Sequence, residues 1–236
     1  MIHILGEQNS IFNTFMAQVR DKSVQADSMR FRRNLERLGE IMSYEISKQL
    51  NYAPHTVETP LGELALNLID DKIVLATVLR AGLPLHQGFL NYFDNAQCAF
   101  VAAYRKNEKN GKFTVKVEYV SSCDLTGKVL LLIDPMLATG QSLLLTYEAL
   151  LQKCGAPLHT HVASVIASEQ GVEYALKHLQ QKSTTLWIGA VDAELTSKAY
   201  IVPGLGDAGD LALIFQMRYL CAEHDGTWKR TNLLEV

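Results

Sequence analysis

Cysteine is scarce in this chain of 236 residues, and its four copies, Cys98, Cys123, Cys154 and Cys221, stand far apart. They form no metal-ligand spacing, and two fall inside predicted strands or helices, so buried free thiols are the better reading. No apolar run approaches the roughly 20 residues that a membrane span needs. Charge of either sign is not in excess: the net value is −3. With no basic aromatic surface beside it, that balance argues against a general nucleic-acid surface. Internal repeats and low-complexity linkers are absent. Residues 1–7 have no basic start and no signal-peptide apolar stretch. The expectation from these absences is a cytoplasmic protein with neither membrane nor nucleic acid as a partner.

What is present is an apolar core. Hydrophobic residues make up 48% of the chain, which excludes disorder, and the length suits one sizeable α/β core with a small appendage. Residues 1–236 therefore read as one domain, with an N-terminal helical segment over 1–50 and a C-terminal extension over 211–236. Five apolar residues, Val129, Leu130, Leu131, Leu132 and Ile133, run into Asp134. A strand that is apolar throughout is one buried on both faces of a parallel sheet. Pro135, Met136, Leu137, Ala138, Thr139 and Gly140 then form a short loop, and Gln141 and Ser142 open a helix. Free N–H groups and the positive dipole end at a helix start suit a phosphate. Thr139 and Ser142 add hydroxyl donors, and Gly140 allows close backbone approach. Asp134, at the strand end, is placed to hold sugar hydroxyls. The geometry alone also fits an ordinary βα turn.

Further apolar runs predict strands at 73–79, 98–104, 161–166 and 186–191, separated by helices at about 83–93, 143–153 and 172–180. Alternating strands and helices imply a parallel α/β sheet, whose ligands sit past the carboxyl ends of the strands. Residues 56–63 read as strand, turn, strand, with Pro60 and Gly62 as turn formers. Residues 113–119 alternate, so one face is solvated, and the polar segment 106–112 before them reads as a mobile hairpin loop. From Ser28 a helix is expected, with Phe31, Leu35, Leu38, Met42 and Ile46 on one face. Arg30, Arg32, Arg33, Glu36, Arg37 and Glu40 occupy the other, mostly a solvated face, with Glu36 near enough to pair with Arg32 and Arg33. Arg80 and Arg105 each follow the last apolar residue of a strand. Either alone reads as a surface residue; both at the edge that carries the Asp134 loop read better as an anion site, because guanidinium forks suit a diphosphate. Finally, residues 199–210 hold three glycines and a proline within a tight loop. It is a surface turn cluster or a place where backbone groups approach a ligand.

Several separate strings resemble the uracil phosphoribosyltransferases of the type I phosphoribosyltransferase family. Residues 134–140 (Asp-Pro-Met-Leu-Ala-Thr-Gly) resemble the loop for 5-phosphoribosyl-1-diphosphate (PRPP), with Ile133-Asp134 in place of the two acids usual in other type I enzymes. Residues 78–83 are similar to Ile-Leu-Arg-Ala-Gly-Leu, and 104–108 to a Tyr-Arg-x-Glu region. Residues 200–210 (Tyr-Ile-Val-Pro-Gly-Leu-Gly-Asp-Ala-Gly-Asp) resemble the uracil loop. Residues 28–32 (Ser-Met-Arg-Phe-Arg) are similar to a Ser-Thr-x-x-Phe-Arg segment near the start of those enzymes, so the resemblance spans about 28–210. It implies a central parallel sheet flanked by helices, with a small hood and a β-arm. It also implies PRPP binding by Arg80, Arg105, Asp134, Pro135, Met136, Leu137, Ala138, Thr139, Gly140, Gln141, Ser142 and Asp207, and uracil binding by Ile201, Gly206, Asp207 and Ala208. Magnesium would be bound mainly through PRPP. A homodimer or higher homo-oligomer is expected, with one arginine of the 30–37 face serving the oligomer or an effector site.

Some positions depart from the family. Gln141 and Pro84 replace glycines, the segment 192–199 lacks a Gly-Leu-Asn, and the chain beyond Asp210 is atypical. The expected activity is conversion of uracil and PRPP to uridine 5′-monophosphate (UMP) and diphosphate, with no residue standing out as an obligate general base. Loop 106–112 is expected to close over PRPP. The alternatives are a catalytically weak PRPP- or nucleotide-sensing regulator of the same fold, and an enzyme for another pyrimidine-like base.

Overall fold

The computed structural model describes residues 1–107, 113–179, 183–213, 219–221 and 228–230; of 103–107, 113–118, 219–221 and 228–230 it describes the backbone alone. The chain opens with β1 (Ile2–Ile4), a 3-10 turn at Leu5–Glu7, α1 (Ile11–Arg20), α2 (Lys22–Gln25) and α3 (Ser28–Ser47). A hairpin of β2 (Tyr52–Thr59) and β3 (Gly62–Ile69) follows, then β4 (Ile73–Leu79), α4 (Leu83–Leu90), β5 (Gln97–Asn107), β6 (Phe113–Ser121), β7 (Val129–Ile133) and β8 (Met136–Leu137). The second half runs α5 (Gln141–Cys154), β9 (His159–Ser168), α6 (Glu169–His178), β10 (Thr184–Asp192), β11 (Glu194–Leu195), β12 (Ile201–Val202) and α7 (Ala208–Leu213). It closes with β13 (Tyr219–Cys221) and β14 (Trp228–Arg230), an antiparallel pair.

The main sheet has the order β1-β10-β9-β7-β4-β5-β6, with β8 alongside β9. Its neighbours are parallel except for β5 and β6. The sheet of parallel strands expected from the apolar runs is therefore present, bordered by one antiparallel strand. Alternate residues of β7 enter different layers. Val129, Leu131 and Ile133 join the layer beneath α1, α3 and α4; Leu130 and Leu132 join the layer beneath α5 and α6. Each fully buried leucine stabilises the fold by about 1.5–3 kcal/mol through removal of its surface from water.

The helix expected from Ser28 is α3, capped by Asp27, whose carboxylate accepts from the N–H groups of Met29 and Arg30 at 3.0 and 3.1 Å. Phe31, Leu35, Leu38, Met42 and Ile46 are all fully buried. On the outer face Glu36 pairs with Arg33 at 2.6 Å; Arg32 turns elsewhere and donates to the carbonyl of Ala212 at 2.8 Å. Helices α3 and α4 approach so closely that a Cβ on Gly39 would lie 2.5 Å from the carbonyl of Leu85, and one on Gly88 would collide with that of Glu36.

One expectation is extended and two are corrected. The strand-turn-strand at 56–63 is the tip of a longer arm, β2 and β3, turning at Pro60 and Leu61. Its leucines stay exposed: Leu61, Leu64, Leu66 and Leu68. The three cysteines whose side chains are described are free thiols but not buried ones; Cys98 is exposed at the sheet end where β5 begins, and Cys123 and Cys154 are half-buried at the margin of the α5 layer. Arg105 is not at a strand end, because β5 continues to Asn107 as a ribbon with β6: Ala102 pairs with Leu79, the last residue of β4, whereas Arg105 pairs with Val115. The side chains of Arg105 and of residues 113–118 lie outside the described residues, as do segment 108–112 and most of the chain beyond residue 213.

Near the other edge, Trp187 of β10 donates its indole N–H to Nδ1 of His161 on β9 at 3.0 Å, and His3 stacks on the indole at 4.2 Å. Burial, helped by the neighbouring histidines, lowers the His161 pKa to about 3.

Gly88→Ala is expected to force α3 and α4 apart and destabilise the protein by about 1–3 kcal/mol. Urea unfolding should show a lower midpoint with an unchanged slope.

Candidate active site

At the carboxyl end of β7 the chain leaves the sheet through a loop that its neighbours hold. The N–H of Asp134 donates to the carbonyl of Ala163 at 3.1 Å, and its carboxylate accepts from the N–H of Met136 at 3.2 Å. The carbonyl of Pro135 accepts from both Val165 and Ile166, each at 3.1 Å. The Ser168 hydroxyl donates to the carbonyl of Ala138 and accepts from the N–H of Gly171 at 2.9 Å. One serine therefore ties the loop to the start of α6. Gly140 has φ +76°, and a Cβ there would lie 2.8 Å from the Tyr174 ring. Only glycine meets both demands without strain.

Gly140 precedes the first turn of α5, and among the described residues no side chain caps it. The leading N–H groups of a helix lack partners within it and attract anions. Leu137 and Ala138 are buried, so they offer backbone rather than side chain to a ligand. Asp134, Thr139 and Ser142 are half-buried and Gln141 is exposed.

Strand β4 lies against β7, with Thr77 opposite Ile133. Its following turn carries Arg80, which is exposed and makes no ion pair among the described residues. The Leu79–Arg80 peptide is cis. Gly82 fills the space beneath this turn: a Cβ there would lie 2.6 Å from Cγ2 of Thr77 and 3.5 Å from the carbonyl of Ile133. Below it Thr77 and His86 share a buried hydrogen bond of 2.6 Å, and burial lowers the His86 pKa. A neutral ring is therefore built into the floor. Arg80 and Asp134 thus come together on adjacent strands, whereas Arg105 belongs to the ribbon beyond them.

The third loop, between β12 and α7, packs on the same apolar layer as the first. Ile201, Leu205 and Ala208 share that layer with Ala138 and the half-buried Met136. Gly206 is exposed with φ +86°, and a Cβ there would make ordinary contacts with Gln25 and Leu211 at 3.8 and 3.9 Å. Asp207 accepts from the N–H groups of Gly209 and Asp210 at 2.9 and 3.0 Å, capping α7. The reading of the sequence missed what anchors this loop. Gly204 donates its N–H to Asp192 at 2.8 Å, and Arg20 grips the same carboxylate with two bonds of 3.0 Å. Arg20 and Asp192 are 172 positions apart, so no local spacing could reveal them. Ser168 and Gly171 were also missed; Ser168 followed by a helical pattern was a readable N-cap signal.

A cleft of about 650 Å³ lies at the opposite, amino end of β4, β5 and β7, lined by Lys72, Tyr92, Phe93 and Lys128 among others. The three loops at the carboxyl end, and not this cleft, sit where α/β sheets bind ligands.

The arrangement is that of a phosphoribosyltransferase fold. Adenine phosphoribosyltransferase of Trypanosoma brucei superposes with a TM-score of 0.50 at 13% identity, over 80% of this chain and 83% of that one. A protein of Aquifex aeolicus superposes better, with a TM-score of 0.80 at 28% identity over 91% and 98% of the two chains. The uracil phosphoribosyltransferase family model matches residues 7–213. The uracil phosphoribosyltransferase of Porphyromonas gingivalis is 54% identical over 90% of this chain and 97% of its own. That of Pyrococcus furiosus is 35% identical over 87% of each. The chain belongs to the uracil phosphoribosyltransferase family.

A Cβ at position 171 would collide with the carbonyls of Leu137 and Ala138. Gly171→Ala is therefore expected to displace the Asp134 loop and cut turnover by about tenfold or more, a loss of roughly 1.4 kcal/mol in transition-state stabilisation. Steady-state kinetics would read this against far-ultraviolet circular dichroism matching that of the parent protein.

Proposed function

We propose that the chain acts as a uracil phosphoribosyltransferase, joining uracil to the ribosyl carbon of PRPP to give UMP and diphosphate. The observation that carries the reading is the convergence of three loops at one sheet end: an uncapped helix start beside Asp134, the Arg80 turn, and a glycine-rich loop packed on the same layer. In this proposal the backbone of residues 137–142 and the hydroxyls of Thr139 and Ser142 hold the 5′-phosphate. Pro135 and Met136 shape the turn before it, Gly140 permits its entry to the helix, and Gln141 borders it from the exposed side. Asp134 orients the ribose hydroxyls. Arg80 and Arg105 neutralise the departing diphosphate while positive charge develops at the ribosyl carbon. Ile201, Gly206, Asp207 and Ala208 present the base edge with backbone donors and acceptors, and Asp207 also borders the PRPP. Catalysis is then mostly positioning and electrostatics.

Family membership implies magnesium-bound PRPP. Magnesium commonly uses one or two carboxylates with substrate oxygens and waters, and the half-buried Asp134 carboxylate fits that modest demand. The ion would supply charge neutralisation at the diphosphate.

A homo-oligomer also belongs to the proposal. The arm offers Leu64, Leu66 and Leu68 at one face of a two-stranded ribbon, and such ribbons need a further layer for stability. No helix among the described residues is long and apolar enough to cross a membrane. A cytoplasmic location is supported by the free state of Cys98, Cys123 and Cys154. Residues 1–236 are proposed as one domain, because both apolar layers share one sheet.

The test is product formation from PRPP with a panel of bases, with and without magnesium. Uracil should give UMP and diphosphate. Cytosine, which swaps an acceptor for a donor, should lose roughly 1–3 kcal/mol for each backbone group left unpaired. Asp134→Asn should lower kcat far more than the thermal midpoint. Purine turnover rivalling that of uracil would leave only the general phosphoribosyltransferase reading. PRPP binding without turnover of any base would favour a sensor.

A further inference from the structure

We propose that Arg20 and Asp192 are positioning residues that set the shape of the base loop, and with it the affinity for uracil; the inference rests on the base-loop role proposed above. Asp192 is the last residue of β10 and Arg20 the last of α1. Two parallel N–H···O bonds of 3.0 Å join them, the fork geometry only a guanidinium supplies. The Asp192 side chain is 8% exposed and that of Arg20 24%. The Oδ2 atom that receives one arm of the fork also receives the N–H of Gly204 at 2.8 Å. Gly204 stands at φ +62°, pressed against the carbonyl of Ile201 so closely that a Cβ would collide with it. The ion pair therefore holds the loop at the residue where its path is tightest.

A second connection leaves the same arginine. The carbonyls of Val19 and Arg20 accept from the amide of Gln25 at 3.2 and 3.0 Å. The oxygen of that amide lies 3.8 Å from the point a Cβ on Gly206 would occupy. Arg20 thus fixes Gly204 through its side chain and the wall beside Gly206 through its backbone. Neither residue belongs to the Asp134 loop or the Arg80 turn. A base read by backbone groups depends on loop coordinates to within about 0.5 Å. A carboxylate left buried with one backbone donor would draw toward solvent or take a proton, and Gly204 would move with it.

The test measures KM for uracil and for PRPP separately in Arg20→Met, Arg20→Lys and Asp192→Asn, alongside thermal midpoints. Arg20→Lys keeps the positive charge beside Asp192 and removes only the fork, so it remains informative should Arg20→Met fail to fold. In folded variants KM for uracil should rise about tenfold or more while KM for PRPP stays within about twofold, the pattern of a lost base contact and not of general disorder. Arg20→Lys should fall between the parent and Arg20→Met. Equal rises in both constants, or unchanged uracil KM in Arg20→Lys and Asp192→Asn, would overturn the proposal. Absence of uracil turnover in the parent protein is a separate outcome that defeats the functional reading instead.

Discussion

Burial of the sheet on both faces is the constraint from which the site follows. All five residues of β7 are buried, as are five of the seven in β4. A charged group within either strand would face apolar side chains with no water to solvate it, at a cost of several kcal/mol. Polar chemistry is thereby driven to the strand ends. Asp134 is the first residue beyond β7 and Arg80 the first beyond β4, and the parallel register that pairs Thr77 with Ile133 delivers both to the same end of the sheet.

The loops at that edge owe their shape to neighbours more than to themselves. Ser168 and the carbonyl of Pro135 tie the Asp134 loop to β9 and α6. Asp207 caps α7, while Arg32 of α3 binds the carbonyl of Ala212 near the end of that helix. The N-terminal helices, which contribute no residue to the phosphate, diphosphate or uracil strings, thus hold the base loop from one side as β10 holds it from the other.

Much of this was legible in the residues themselves. The runs that became β4, β7, β9 and β10 are apolar because both faces are covered, and the spacing of Phe31, Leu35, Leu38, Met42 and Ile46 marks one face of α3. Helix α1 was read only as an undivided part of the helical segment 1–50, although Phe12, Met16 and Val19 have helical spacing and are buried. The arm was read only at its tip: Leu64, Leu66 and Leu68 alternate as a strand should, but alternation cannot tell a face packed on a core from one exposed at the surface. The Arg105 position was misjudged because an antiparallel ribbon continues past the point where apolar residues end. Close contacts at Gly88 and Gly171 have no signature beyond a single glycine in a helix, and the pairing of Arg32 with Ala212 rather than with Glu36 depends wholly on tertiary placement.

The Trp187–His161 hydrogen bond has a consequence for acid. The indole N–H can only donate, so Nδ1 of His161 must accept and the ring must be neutral. Released into water, the same imidazole would regain its ordinary pKa of 6.5; folded, it holds out to about 3. Between those values the unfolded chain binds a proton that the native chain refuses. Falling pH therefore draws the equilibrium toward unfolding, at up to roughly 1.4 kcal/mol for each pH unit from this one ring. Proton uptake by a core histidine, beginning in mildly acid solution and well before most carboxylates titrate, is a built-in route to acid unfolding.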